Sequence, residues 1–147
     1  MQEESKEIVV TIDIDGTATQ QVVRDYAKEL VARGITVWLL TRRYDDLHWH
    51  LWENDEWFLD NNNIVWEIAD EIGIPHNRVR FQNMRPKAEF LDGSKVLWHL
   101  DDDINELLDI IRYHEEPDSE MTTQPIGVYI NTWKKECNRL IEDELNS

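Results

Sequence analysis

Apolar runs and helix-like repeats alternate along the chain. Residues 8–12 read IVVTI, a β-branched run without polar alternation, which is typical of a strand buried on both faces. Four later apolar runs also predict strands, and apolar residues recur at helical spacing between them. The predicted later strands are 36–40, 79–81, 95–100 and 126–130, and the predicted helices are 20–33, 61–72, 104–113 and 133–145.

Strands that alternate with helices predict a parallel sheet covered on both sides. Right-handed crossovers then give a doubly wound, Rossmann-like α/β sandwich with five parallel strands. The pattern runs through residues 1–147 without an internal repeat or a linker, so we predict one domain. Ligands bind at the carboxyl ends of strands in such sheets, so residues directly after strands are the functional candidates.

Acidic and hydroxyl side chains follow three of the predicted strands. Asp13 and Asp15 come after the first strand, Thr41 after the second, and Asp101 and Asp102 after the fourth. Carboxylates gathered at one edge of a sheet repel one another unless a cation lies among them. Mg²⁺ takes oxygen ligands, commonly one or two carboxylates together with substrate phosphate and water. The sequence therefore predicts a Mg²⁺ site that handles phosphate.

The same residue types fit phosphoryl chemistry. With Mg²⁺ present, one carboxylate can attack phosphorus, and a second one two residues later can donate and accept protons. Thr41 can donate a hydrogen bond to a phosphate oxygen. A lysine supplies the positive charge that a phosphoryl transition state requires. Lys87 follows the third strand and is better placed than Lys95, which opens a strand at its far end.

These residues form four motifs, VVTIDIDGT, VWLLT, PKAEF and VLWHLDD. In this order they resemble the haloacid dehalogenase-like (HAD) phosphohydrolases. That family's pattern is a strand then D-x-D-G-T, a strand then Ser or Thr, a lysine, and a strand then D-D or D-x-x-x-D. The resemblance covers nearly the whole chain. It implies a Mg²⁺-dependent phosphomonoester hydrolase, since the aspartate two residues after the nucleophile separates phosphatases from dehalogenases in this family.

The resemblance implies a role for each matched residue. Asp13 is the nucleophile that forms an aspartyl-phosphate, and Asp15 is the general acid/base, whose backbone carbonyl also binds Mg²⁺. The expected metal residues are Asp13, Asp15, Asp101 and Asp102. Asp102 is favoured as the direct ligand and Asp101 as its support, although the neighbouring Asp103 leaves the register open by one. Thr41 and Lys87 are counted with the catalytic residues, and the expected substrate-binding residues are Gly16, Thr17, Thr41, Arg42 and Lys87.

The connections between the predicted strands are too short for a folded cap domain. Residues 17–36 hold about one helix, and residues 42–78 hold more than one helix but too little for a cap. The chain thus resembles capless members of the family and is somewhat similar to the phosphatase domains of polynucleotide kinase-phosphatases. Open sites of this kind serve large substrates or use a neighbouring subunit as a lid, so a homo-oligomer is one expectation.

The composition limits the classes of molecule that the chain is expected to bind. A net charge of −16 disfavours nucleic acid and anionic membranes, which need positive charge. We therefore expect a phosphorylated small molecule, or an exposed phosphate on a macromolecule. Cys137 is the single cysteine, which excludes an internal disulfide and favours a reducing compartment. The polar N-terminus lacks an apolar signal region, and no run approaches the length of a membrane helix, so we predict a cytoplasmic protein.

Two other functions stay open. One is a non-catalytic binding or regulatory module on an HAD fold, which the intact set of Asp13, Asp15, Thr41 and Lys87 disfavours. The other is a nucleotide or polynucleotide-end phosphatase, which needs a basic groove, and the only candidates for it are Arg42, Arg43, Arg85 and Lys87. A receiver domain uses similar residue types, but its acidic pair follows the first strand and its lysine the last, so the order here is wrong.

The aromatic segment, residues 44–58 (YDDLHWHLWENDEWF), has two possible interpretations. It is either an amphipathic helix over the sheet or an aromatic lip that selects substrate or packs on another subunit. His48 and His50 would point to different faces of a helix, which disfavours a two-histidine metal site. Arg42 and Arg43 fit either phosphate contacts or salt bridges. His99 is predicted to be a core histidine and Cys137 to be inert.

Overall fold

The computed structural model describes residues 6–48, 62–115 and 126–147. Within these ranges the chain forms one five-stranded, all-parallel sheet with the strand order β3-β2-β1-β4-β5. This order is that of a Rossmann-like sheet, so the α/β class predicted from the sequence is confirmed. The strands are β1 (Val9–Ile12), β2 (Thr36–Thr41), β3 (Val79–Phe81), β4 (Val96–Asp101) and β5 (Ile126–Tyr129).

Four of the helices lie within two residues of their predicted bounds. The described helices are α1 (Gln21–Ala32), α2 (Asn63–Ile72), α3 (Lys87–Leu91), α4 (Ile104–Glu115) and α5 (Trp133–Leu145). Helix α3 was not predicted, because five residues are too few for helical periodicity to show. Gly73 ends α2 in the left-handed conformation, as its place after the apolar repeat indicates.

Two hydrophobic clusters pack against the sheet. One combines strand residues with α1, α2 and α5, and the other combines them with α3 and α4. Leu39 belongs to the first cluster and its neighbour Leu40 to the second. Successive side chains of a strand point to opposite faces, so the two clusters lie on different faces of β2. Strands buried in this way explain the continuous apolar runs of the sequence.

The first and fourth strands are neighbours, as the acidic residues after them require. The order of the sheet reverses between β1 and β4, which is where Rossmann-like sheets bind ligands. Their register skips Leu97, since Val9 lies opposite Val96 and Val10 lies opposite Trp98. Beyond this irregularity the Asp13 backbone N–H donates to the Leu100 carbonyl at 2.9 Å. The carboxyl ends of β1 and β4 therefore lie side by side.

Part of the aromatic segment lies outside the described residues, namely residues 49–58 with Trp49, Trp52 and Trp57. A single domain without a cap stays a prediction, because residues 49–61 of the second connection are among those not described. Among the described residues, no helix combines the length and the apolar character needed to cross a bilayer.

Candidate active site

The chain leaves β1 through an irregular helical turn, Ile14–Ala18. Gly16 has a φ of +81°, a conformation that suits glycine and reverses the chain directly after Asp13. The reversal brings the Thr17 hydroxyl back to Asp13, where it donates to Oδ2 at 2.9 Å, and the Ala18 N–H donates to the Asp13 carbonyl at 3.0 Å. Local sequence thus fixes the Asp13 carboxylate at the end of the strand.

Three of the predicted site carboxylates come together. Asp13, Asp101 and Asp102 each offer an oxygen, and these oxygens lie within 4.8 Å of one another. Asp102 lies directly over Gly16, since a Cβ on that glycine would be 2.0 Å from Asp102 Oδ2. The absent side chain of Gly16 is therefore what allows Asp102 to join the group.

Lys87 lies between two of these acids. Its ammonium donates to Asp13 Oδ1 and to Asp101 Oδ2, both at 2.6 Å, and all three side chains are buried. The amine comes from the first residue of α3, so the unpredicted short helix is what carries the predicted lysine. Three carboxylates face one ammonium here, so the group keeps an excess of negative charge.

Burial and the neighbouring charges together shift the pKa values of these four groups. Burial raises the pKa of Asp13 well above its ordinary range, and the nearby Asp101 charge raises it further, against the opposing effect of Lys87. Burial also raises the pKa of Asp102. Burial opposes ionisation of Asp101 too, but His99 and Lys87 outweigh it and hold that pKa low. Burial lowers the pKa of Lys87, but the charges of Asp13 and Asp101 raise it by more. The net pKa is therefore above its ordinary value, and the ammonium stays charged.

His99 orients Asp101 from inside the sheet. His99 Nε2 lies 2.7 Å from Asp101 Oδ2, and His99 Nδ1 lies 2.7 Å from the Thr11 hydroxyl oxygen. Burial lowers the pKa of His99, which favours the neutral ring. Because a carboxylate only accepts, the Nε2–H donates to Asp101, and the Thr11 hydroxyl donates to Nδ1. The predicted core histidine is satisfied, and it also holds a site residue.

Asp15 is outside the three-carboxylate group and pairs with Arg43. Arg43 Nε lies 2.8 Å from Asp15 Oδ2, and Nη2 lies 2.7 Å from Oδ1, so the pair is bidentate. The arginine side chain is 9% exposed, and its Nη1 donates to Asn62 Oδ1 at 3.4 Å. Of the two roles left open for Arg43, the structure describes a salt bridge.

The remaining candidates lie around this centre. Thr41 is buried at the end of β2, and its hydroxyl oxygen accepts the Arg43 backbone N–H at 3.1 Å. Arg42 pairs with Glu106 at 3.0 Å. Glu106 is not among the predicted site residues, because its D-x-x-E spacing from Asp103 is typical only of a helix capping box. Thr11 is not among them either.

The donor set suits a hard divalent cation. Two oxygens bound to Mg²⁺ at about 2.1 Å lie about 3.0 Å apart when adjacent and about 4.2 Å apart when opposite. The three carboxylate oxygens lie within 4.8 Å of one another, which is close to the distance between opposite ligands of such a site. A bound cation would favour the ionised form of Asp13 and Asp102, whose pKa values are raised without it.

Comparisons of the chain with protein-family models, with curated proteins and with solved structures give no match.

Proposed function

We propose that the chain is a Mg²⁺-dependent phosphomonoester hydrolase with a doubly wound, HAD-like fold. The observation that carries this proposal is the position of Asp13 at the end of β1, with the Lys87 ammonium 2.6 Å away and the Asp101–Asp102 pair beside it. Phosphoryl transfer uses a nucleophile, a positive charge and a bound metal ion. At the switch point of this sheet, a carboxylate, a buried ammonium and a group of oxygens that can bind a metal lie together.

In the first step, the Asp13 carboxylate attacks the phosphorus of the ester. Both its oxygens accept hydrogen bonds, Oδ1 from Lys87 and Oδ2 from Thr17, which fix the nucleophile and leave further lone pairs for attack. The bond between phosphorus and the ester oxygen breaks. Asp15, once it has left Arg43 and taken up a proton from solvent, gives that proton to the leaving alcohol. The product is an aspartyl-phosphate on Asp13 and a free alcohol.

In the second step, Asp15 takes a proton from water, and the resulting hydroxide attacks the phosphorus of the aspartyl-phosphate. The bond between phosphorus and the Asp13 oxygen breaks, which releases inorganic phosphate and restores the carboxylate. Asp15 is half exposed and can be reached by water. Its carboxyl has to leave Arg43 to act at the phosphorus, so the bidentate pair is a resting arrangement in this mechanism.

Other residues bind the phosphoryl group. The Lys87 ammonium stabilises its negative charge, and the Thr41 hydroxyl is oriented by the Arg43 N–H so that its own hydrogen can donate to a phosphate oxygen. Asp13, Asp101 and Asp102, with the Asp15 carbonyl, would hold Mg²⁺. The ion would supply charge neutralisation at the phosphate oxygens.

The test is hydrolysis of p-nitrophenyl phosphate by the wild type and by Asp13→Asn, with Mg²⁺ and with EDTA. We expect activity that needs both the metal and Asp13, and a loss of about 10³-fold or more in the variant. Asp143→Asn is the matched control, because that exposed aspartate lies on α5 and pairs with Arg139. It should keep wild-type activity.

Asp13→Asn with full activity, or activity that survives EDTA, would disprove the proposed mechanism. If the wild type cleaves none of a panel of aryl, alkyl and nucleoside phosphates and a 3′-phosphorylated oligonucleotide, the non-catalytic module becomes the favoured function. Hydrolysis confined to the nucleoside phosphates or the oligonucleotide would instead select the nucleotide or polynucleotide-end phosphatase.

A further inference from the structure

Glu106 is a buried carboxylate that the proposed reaction does not use. It lies in the first turn of α4 and is 1% exposed. Its two oxygens serve different partners, since Oε2 accepts the Lys87 backbone N–H at 3.1 Å and Oε1 pairs with Arg42 Nη1 at 3.0 Å. A single side chain therefore joins the start of α3 and the segment after β2 to the helix that follows the Asp101–Asp102 pair.

The loops that Glu106 joins are also tied to each other. Met84 N–H donates to the Arg42 carbonyl at 2.6 Å, and the Arg42 guanidinium donates to the Met84 carbonyl. Asn83 and Met84 have φ values of +50° and +71°, which non-glycine residues seldom adopt. The chain thus takes a costly path between β3 and Lys87, and contacts around it must hold that path in place.

A buried carboxylate is costly unless donors satisfy it. Glu106 has one charged and one neutral donor, so moving it would leave its charge uncompensated. The same contact fixes the first turn of α3, and Lys87 is the first residue of that helix. The lysine ammonium contacts two acceptors, each at 2.6 Å, so a shift of the Lys87 backbone would weaken one of these contacts or both.

We propose that Glu106 is a positioning residue for Lys87. Its carboxylate holds the Lys87 backbone so that the ammonium meets both Asp13 and Asp101. The role of Lys87 in phosphoryl transfer rests on the function proposed above, whereas the Glu106 contact itself does not. Among the described residues, Glu106 is outside the group of three carboxylates that could hold a cation. Its loss should therefore slow turnover without weakening metal binding.

Two substitutions test this role. In Glu106→Ala both contacts are lost, and a displacement of Lys87 by about 1 Å would lower kcat about 100-fold. In Glu106→Gln the single carbonyl oxygen can accept from Lys87, but the amide N–H₂ then faces the Arg42 guanidinium. One contact of a charged group is lost, so we expect a fall in kcat of about tenfold. Glu115→Gln, at the exposed end of the same helix, is the control.

Three measurements are made on each variant: kcat with p-nitrophenyl phosphate, the Mg²⁺ dissociation constant by calorimetry, and the amide exchange rate of Lys87 by NMR. The proposal expects kcat to fall in the order control, Gln, Ala, with no loss of metal affinity and with faster amide exchange at Lys87. Glu106→Gln alone decides the matter if the alanine variant does not fold.

Two results would overturn the proposal. A folded Glu106→Gln protein with wild-type kcat and a lowered melting temperature would make Glu106 a structural residue only. A metal dissociation constant that rises together with the loss of kcat would assign Glu106 to the metal instead. If the wild type proves inactive, the proposed function fails, and the Lys87 amide exchange still shows whether Glu106 holds that residue.

Discussion

Arg43 and Asp15 form a bidentate ion pair, with distances of 2.8 Å and 2.7 Å between the guanidinium and the two carboxylate oxygens. The arginine is nearly buried and the aspartate is half exposed. The planar guanidinium of Arg43, held inside the protein, thus orients the Asp15 carboxyl at the surface. In the proposed reaction this carboxyl is the general acid/base, so the pair sets the position from which Asp15 starts.

Replacing Arg43 should affect poor leaving groups most. Arg43→Lys keeps the charge but loses the two-point geometry. An alkyl alcohol needs a proton to leave, whereas p-nitrophenolate does not. We expect kcat/KM, which reports on formation of the aspartyl-phosphate, to fall about tenfold for an alkyl phosphate and less for p-nitrophenyl phosphate. The check is the ratio of the two kcat/KM values in the wild type and the variant. An equal loss on both substrates would mean that Arg43 does not act through protonation of the leaving group by Asp15.

Gly16→Ala should weaken metal binding through Asp102. The added Cβ would meet Asp102 Oδ2 at 2.0 Å and push that carboxylate away. Gly34→Ala is a matched control, because its φ of +82° is almost the same but no atom lies within 4 Å of its added Cβ. Both variants should lose about 1–2 kcal/mol of stability from the backbone alone.

Calorimetry with Mg²⁺ and urea unfolding measure the two effects separately. Gly16→Ala should lose metal affinity and Gly34→Ala should keep it. Equal metal affinity in the two variants would mean that Asp102 is not a ligand.

Lys87→Met should destabilise the metal-free protein. The substitution leaves Asp13 and Asp101 buried without the cation between them. Breaking a buried ion pair in this way costs about 3–5 kcal/mol. The matched control is Lys28→Met, since Lys28 is exposed and its pairs with Asp25 and Glu71 are worth about 0–1 kcal/mol. Urea unfolding in EDTA should separate the two variants clearly. Similar losses would show that Lys87 is not held as the structure has it.

Stability should fall above the ordinary pKa of a thiol. Burial raises the pKa of Cys137 far above its ordinary value of 9.0, and Glu136 adds to this. The folded chain then keeps a proton that the unfolded chain releases. The stabilisation is fully present below the unfolded-state pKa and is lost as the pH rises above it, at up to about 1.4 kcal/mol per pH unit.

Urea unfolding of the wild type and of Cys137→Ala between about pH 8 and pH 10 checks this prediction. The wild type should lose stability more steeply than the variant. Some loss remains in both, because burial also raises the pKa of Tyr26. Parallel curves would show that the thiol ionises as easily in the folded protein as in the unfolded chain.

The candidate site could be predicted to the level of its residues but not of its contacts. The apolar run before Asp13 and the one before Asp101 place both acids after strands, and a parallel sheet brings strand ends to one edge. Nothing in the local pattern indicates that Arg43 would face Asp15 or that Glu106 would hold Lys87. Helix α3 was missed for a related reason, since its five residues gain their stability from packing rather than from a repeat.

The sequence by itself determined where the strands and most helices lie, because burial on both faces demands apolar runs and helix packing demands a 3.6-residue repeat. It also determined which acids follow which strands. Only the tertiary structure decided which charges meet. Lys87 reaches across 74 positions to Asp13, and Thr11 across 88 positions to His99. Such contacts depend on the register of the sheet and on the docking of helices. The local pattern of polar and apolar residues determines neither of them.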